Sequence, residues 1–136
     1  MSDNTDVIIA IDFSMTGELT DDIIEAAKYI INKDSESIFT VFEFGGKVHA
    51  DYHIERVEDI PKKSSHRGIS GTDFRVVWER MVTRNRIPSH LYMITDGYAS
   101  MDRIKDFAEY CQTTWLVIDG GNSKMPFGDV VNNKEI

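Results

Sequence analysis

The stretch Val7-Ile8-Ile9-Ala10-Ile11-Asp12-Phe13-Ser14-Met15-Thr16 decides how the rest of the chain is read. Its first five residues are an unbroken apolar run rich in β-branched side chains, the pattern of a strand covered on both faces, as in a parallel sheet. The run ends in an aspartate, and the alternate positions after it, Ser14 and Thr16, carry hydroxyls. Alternate residues of an extended turn can face one point, so Asp-x-Ser-x-Thr offers three oxygens at the end of a buried strand.

Strands and helices alternate from there. Glu18 to Lys33 places Ile23, Ala27, Ile30 and Ile31 on one helical face, with Glu18, Asp21 and Asp22 near the positive end of the helix dipole. Ile38 to Phe44 is a strand, and Gly45-Gly46 turns it into Lys47 to Ile54, an antiparallel hairpin partner at the sheet edge. Glu55 to Gly71 is polar and reads as a long surface loop. Phe74, Val77, Trp78, Met81 and Val82 recur at helical spacing, so a second helix starts just after Thr72-Asp73, with Asp73 available as its cap. His90 to Thr95 is a strand ending in Asp96-Gly97. Met101, Ile104, Phe107, Ala108 and Cys111 predict a third helix, and Thr114 to Ile118 a further strand that Pro126 and Phe127 cover.

This alternation implies right-handed crossovers and an α/β architecture. The expectation is a three-layer, Rossmann-like fold: a mostly parallel central sheet, one antiparallel edge strand, and helices on both faces. With no internal repeat and no linker between two core-forming halves, residues 1–136 read as a single domain. In such sheets ligands bind beyond the carboxyl ends of the strands, where strand order reverses.

Composition narrows the function classes. The 136 residues are 41% hydrophobic and 28% charged, an ordinary globular balance. A net charge of −8 opposes nucleic acid, whose binding draws on Lys and Arg neutralising phosphates. Cys111 is the one cysteine, so no internal disulfide forms. The polar start after Met1 is unlike a secretory signal, and no apolar run reaches membrane-spanning length, so the expected location is the cytoplasm with no membrane partner.

Asp12 and Asp96 both end strands and emerge at the same sheet edge. Ser14 and Thr16 follow the first, and Thr72, opening the second helix after Gly68-Ile69-Ser70-Gly71, can enter from a neighbouring crossover. Asp12, Ser14, Thr16, Thr72 and Asp96 supply only carboxylate and hydroxyl oxygens, a donor set for Mg2+ or Mn2+ in preference to zinc. Neutral hydroxyls leave the cation residual charge, and a position in its octahedron can go to an incoming carboxylate.

Asp12-Phe13-Ser14-Met15-Thr16, Gly71-Thr72-Asp73 and Thr95-Asp96-Gly97 resemble, in order, the three parts of the metal-ion-dependent adhesion site (MIDAS) of von Willebrand factor A (VWA) domains. Gly71-Thr72-Asp73-Phe74-Arg75, with Trp115 to Ile118 and Pro126-Phe127-Gly128, is similar to a bacterial VWA-like group found C-terminal to metallopeptidase-like domains. The resemblance runs from about Val7 to Val131. It implies metal contacts, direct or through water, from those same five residues. It also implies a binding module, not an enzyme, whose protein partner presents Asp or Glu, and makes a separately encoded peptidase-like or ATPase protein a partner worth testing. Thr16 stands where serine is commoner, and Phe13 and Met15 stand where small residues are usual, which would make the rim more apolar.

The competing readings are local capping and catalysis. Ser14 and Thr16 could cap the first helix, Thr72 and Asp73 the second, and Asp96 could close a turn, leaving a VWA-fold protein without a working metal site. A haloacid-dehalogenase phosphatase needs a second acid two residues after its nucleophile, where this chain has Ser14, and no Walker loop occurs. Hydrolysis of phosphate or peptide substrates by a metal-activated water lacks an obvious base. His49 and His53 would lie about 13 Å apart on a strand rising roughly 3.3 Å per residue, too far to chelate. Lys62, Lys63, His66 and Arg67 form a basic spot that reads as a solvated loop or as a rim steering an acidic partner.

Overall fold

A computed structural model describes residues 6–14, 18–63, 71–101, 104–118 and 120–132. The apolar run forms β1 (Asp6–Asp12), with Val7 to Ile11 fully buried. Beside it lie β2 (Ile38–Phe44), β3 (Val48–Ile54), β4 (His90–Thr95), β5 (Thr113–Val117) and β6 (Asp129–Asn132), in the order β3-β2-β1-β4-β5-β6. Every neighbouring pair is parallel except β2 and β3, so the hairpin partner is the antiparallel edge strand its short turn predicts. β1 is flanked by β2 and β4, and strand order reverses there. The β1–β4 pair is therefore the crevice at which open α/β sheets generally bind their ligands.

Two apolar clusters cover the two sheet faces. Val7, Ile9 and Ile11 point toward α1 (Asp21–Lys33) and pack with Ile23, Ala26, Ala27 and Ile30. Ile8 and Ala10 point the other way, toward Phe74, Val77, Trp78 and Met81 of the segment containing α2 (Arg75–Thr83). This alternation along one strand makes the three layers.

Several element ends differ from the periodicity reading. α1 begins at Asp21, because Thr20 Oγ1 accepts the Ile23 N–H at 3.3 Å as its cap. Glu18 instead bridges Lys63, and the Leu19 N–H donates to Lys62 O at 3.1 Å. In α2 the cap position is Phe74, and Asp73 acts from one residue earlier, its Oδ1 accepting the Arg75 N–H at 3.1 Å. Val82 is 54% exposed and outside the core, since its spacing turns it to the solvent side of a nine-residue helix. The polar loop contains a 3-10 turn at Val57–Asp59 that buries Val57.

The third helix is corrected. Among the described residues this crossover holds only a 3-10 turn at Lys105–Phe107, with i to i+3 bonds from Phe107 N to Ile104 O and from Tyr110 N to Phe107 O. Residues three apart eclipse in that geometry, so Ile104 and Phe107 both reach the α2-side core without an α-helical turn. Phe107 stacks on Trp78 at 5.5 Å. β6 was not anticipated: Asp-Val-Val-Asn is short and largely exposed, so it carries no burial periodicity. Phe127 does cover the sheet end, its carbonyl accepting the Trp115 indole N–H at 3.0 Å.

Cys111 packs against the α2-side cluster, and burial pushes its thiol up to about 11. An acid raised this far is almost wholly protonated at neutral pH, and the thiolate is the nucleophile. Alkylation by iodoacetamide at pH 8 should therefore run on the order of a hundredfold slower than for free cysteine and quicken about tenfold per pH unit up to pH 10. Mass spectrometry of timed samples checks this. No helix of the described residues is long and apolar enough to cross a membrane.

Candidate metal centre

β1 and β4 end side by side, with Ile11 opposite Ile94 as their last paired residues, so the following residues, Asp12 and Thr95, emerge together at the crevice. Asp12 is 7% exposed and Asp96 8%. Asp12 Oδ1 accepts the Ser14 N–H at 3.0 Å, which folds the chain back and brings the Ser14 hydroxyl beside the carboxylate. Thr72 reaches the same point from across the sheet edge. Its hydroxyl hydrogen-bonds Ser14 Oγ and lies 3.3 and 3.5 Å from the two Asp12 carboxylate oxygens.

The approach of Thr72 has a backbone cause: the Asp73 N–H donates to Gly45 O at 2.9 Å, tying the start of α2 to the β2–β3 turn. Asp73 also holds Arg75 in a fork, Nε to Oδ1 at 3.0 Å and Nη2 to Oδ2 at 2.7 Å. Thr72, Asp73, Arg75 and Ser100 line a pocket of about 290 Å³. A second concavity, of about 240 Å³, lies between the later half of α1 and the 3-10 turn, lined by Lys28, Ile31 and Arg56 among others, and includes none of the candidate ligands.

Asp96 Oδ1 accepts the Tyr98 N–H at 3.1 Å. Burial raises its carboxyl above the ordinary range; the Tyr98 bond works against this, and the nearby Asp12 charge adds to it. Among the described residues neither aspartate has an ion pair with Lys, Arg or His. Two mostly buried acids that repel each other without a basic partner are costly. Ile118 and Asn122 lock the end of β4, the Ile118 N–H donating to Thr95 O at 3.0 Å and the Asn122 N–H to Asp96 O at 2.8 Å. Gly97, at φ 77°, and Gly121 allow that approach: a Cβ on Gly97 would meet Asn122 O at 2.1 Å, and one on Gly121 would meet Asp96 O at 1.9 Å.

Four of the five residues singled out by sequence, Asp12, Ser14, Thr72 and Asp96, thus lie at one sheet edge. Thr16 lies outside the described residues, as do Met15, His66 and Arg67. Phe13 is 1% exposed and packs on the α1 side, so it belongs to the core and not to an apolar rim. Lys62 and Lys63 are exposed. His53 is exposed and its Nδ1 pairs with Thr40 Oγ1 at 3.0 Å, whereas His49 is half-buried on the edge strand. Sequence reasoning overlooked Thr95, whose hydroxyl donates to Asp12 Oδ2 at 2.7 Å and accepts the Gly97 N–H at 3.0 Å. The contact depends on the register between β1 and β4, which the sequence of neither strand displays by itself. Among the described residues no cluster of three His, Cys, Asp or Glu side chains is arranged to hold a metal, so any cation here depends on hydroxyl donors as well as the two acids.

No curated protein matches the chain. Among solved structures it is similar to the ArnB paralog VWA2 from Sulfolobus acidocaldarius, with a TM-score of 0.58 and 12% identity over 88% of this chain and 36% of that one. It is also similar to an aerotolerance-related membrane protein from Bacteroides fragilis NCTC 9343, with a TM-score of 0.52 and 17% identity over 84% of this chain and 67% of that one. The chain spans about a third of the length of the Sulfolobus protein, and at these identities the likeness is one of fold. A family profile described as VWA-like domain (DUF2201) matches residues 7–134, nearly the whole sequence, and the chain therefore belongs to the VWA-like domain (DUF2201) family.

Proposed function

We propose that this chain is a single-domain, cation-dependent protein-binding module of MIDAS type, in which Asp12, Ser14, Thr16, Thr72 and Asp96 hold Mg2+ or Mn2+ and a partner's Asp or Glu completes the coordination. The observation that carries this reading is the convergence of the Asp12 carboxylate with the Ser14 and Thr72 hydroxyls beside a second buried acid. The donor chemistry fits a hard divalent ion, and two mostly buried acids with no ion pair to a basic side chain among the described residues favour a cation between them. VWA domains often bind a divalent metal and often mediate protein interactions, which agrees with both halves of the proposal.

Bound there, the cation would supply positive charge that a partner's carboxylate can reach. The protein's own residues do the rest. Asp12 and Asp96 furnish negative charge from adjacent strand ends, and Ser14 and Thr72 add neutral oxygens that leave that positive charge incompletely cancelled. The Asp73–Arg75 pair beside the pocket presents a partly exposed guanidinium to an acidic partner. The similarity to a group found beside metallopeptidase-like domains makes a peptidase-like or ATPase protein the first partner to try, in the cytoplasm.

Immobilised protein should retain such a partner in Mg2+ and release it in chelator, and the Asp96→Asn variant should retain none. Equal retention in chelator contradicts the proposal. Stability adds an independent sign. Raised above its unfolded value of 3.8, the Asp96 carboxyl binds more protons folded than unfolded, so its ionisation lowers stability as pH rises past 3.8. At pH 7 in chelator, Asp96→Asn should melt at or above the wild-type temperature, yet gain nothing on adding millimolar Mn2+, whereas wild type rises. Differential scanning fluorimetry reads both.

A further inference from the structure

We infer that Thr95 is a positioning residue for the Asp12 carboxylate, holding it in the orientation a divalent cation requires. This inference rests on the metal reading but names a residue outside the five ligands. Thr95 is 0% exposed, so it cannot touch a partner. Its hydroxyl proton is committed to Asp12 Oδ2 at 2.7 Å, and its oxygen accepts the Gly97 N–H at 3.0 Å. The Gly97 bond fixes the side of the oxygen that faces Asp12, so the donor is set by backbone and not by a free rotor. The other carboxylate oxygen is fixed independently by the Ser14 N–H.

Both Asp12 oxygens are thereby oriented by donors, one from its own turn and one from the neighbouring strand. Each carboxylate oxygen keeps a lone pair after accepting a single bond, so this clamp directs the group and does not consume it. Thr95 also precedes Asp96, so the same strand end delivers one acid and aligns the other. A shift of β4 against β1 would disturb both at once. Partners that orient a ligand without touching the metal typically account for 10- to 100-fold in metal affinity.

The test is calorimetric titration of Mn2+ into Thr95→Val, which keeps the side-chain shape, and Thr95→Ser, which keeps the hydroxyl. Thr95→Ala against Thr95→Ser provides the same one-oxygen comparison should the valine variant fail to fold. The expected result is at least about a tenfold loss of Mn2+ affinity in Thr95→Val or Thr95→Ala, with Thr95→Ser close to wild type. Melting in chelator identifies any general destabilisation, which by itself would not discriminate between the hydroxyl-bearing and hydroxyl-free variants in affinity. Wild-type affinity in Thr95→Val, or equal weakening in Thr95→Ser, overturns the positioning role while leaving the metal site standing. Failure of the wild type to bind Mn2+ overturns both.

Discussion

Asp12→Ala should abolish saturable Mg2+ and Mn2+ binding while the protein remains folded. Asp12 is where the candidate site's interactions meet: its carboxylate receives the Ser14 N–H and the Thr95 hydroxyl, lies against the Thr72 hydroxyl, and adds its charge to the field at Asp96. Alanine removes the only acid on β1 that faces these groups and leaves Ser14 and Thr72 as neutral donors with one carboxylate, too little charge for a hard cation in competition with water. Folding should survive because the losses and gains oppose each other. The Thr95 hydroxyl and the Ser14 N–H lose an acceptor, a cost of about 1–3 kcal/mol for buried polar groups. Against this, Asp96 loses a repelling neighbour. Titration calorimetry with far-UV circular dichroism on the same sample separates loss of site from loss of fold.

Trp115→Ala should be among the most destabilising single changes, at about 3–5 kcal/mol in urea denaturation. Trp115 is fully buried on β5, packs edge-on against Phe74 at 5.2 Å, and touches Trp78 and Phe127 at 6.2 Å each. Its indole N–H also anchors the Phe127 carbonyl, so truncation opens a cavity and releases the segment that leads into β6. Trp78 offers a control. It is equally buried, but among the described residues its N–H has no hydrogen-bond acceptor. Trp78→Phe removes no bond, whereas Trp115→Phe orphans a carbonyl, so the second should cost more by about 1 kcal/mol. Similar losses for both would show that the indole bond contributes little.

The strands that carry the site were the most legible part of the sequence. β1 is buried on both faces, so its five apolar residues could not be mistaken, and β2 ends where its apolar run ends. The antiparallel edge followed from a turn too short for a crossover. What misled was periodicity without length: Ile104 and Phe107, three apart, share a side in a 3-10 turn as well as in an α-helix, and spacing alone does not distinguish i to i+3 from i to i+4 bonding over so few residues. β6 escaped because an exposed edge strand needs no apolar signature. In the candidate site, the placement of Asp12, Ser14, Thr72 and Asp96 at one sheet edge was legible because each lies within three residues of the end or start of an element. Thr95 was not, because its role depends on the register between β1 and β4, and register is a property of pairing that one strand's sequence does not display.

The central claim, that these oxygens hold a divalent cation, is tested most directly by titrating Mg2+ and Mn2+ into chelator-stripped wild-type protein in a calorimeter. A single saturable site is the result predicted. Heats no larger than dilution, in a protein shown to be folded, would contradict the account and leave a VWA-like fold whose interactions do not depend on this sheet edge.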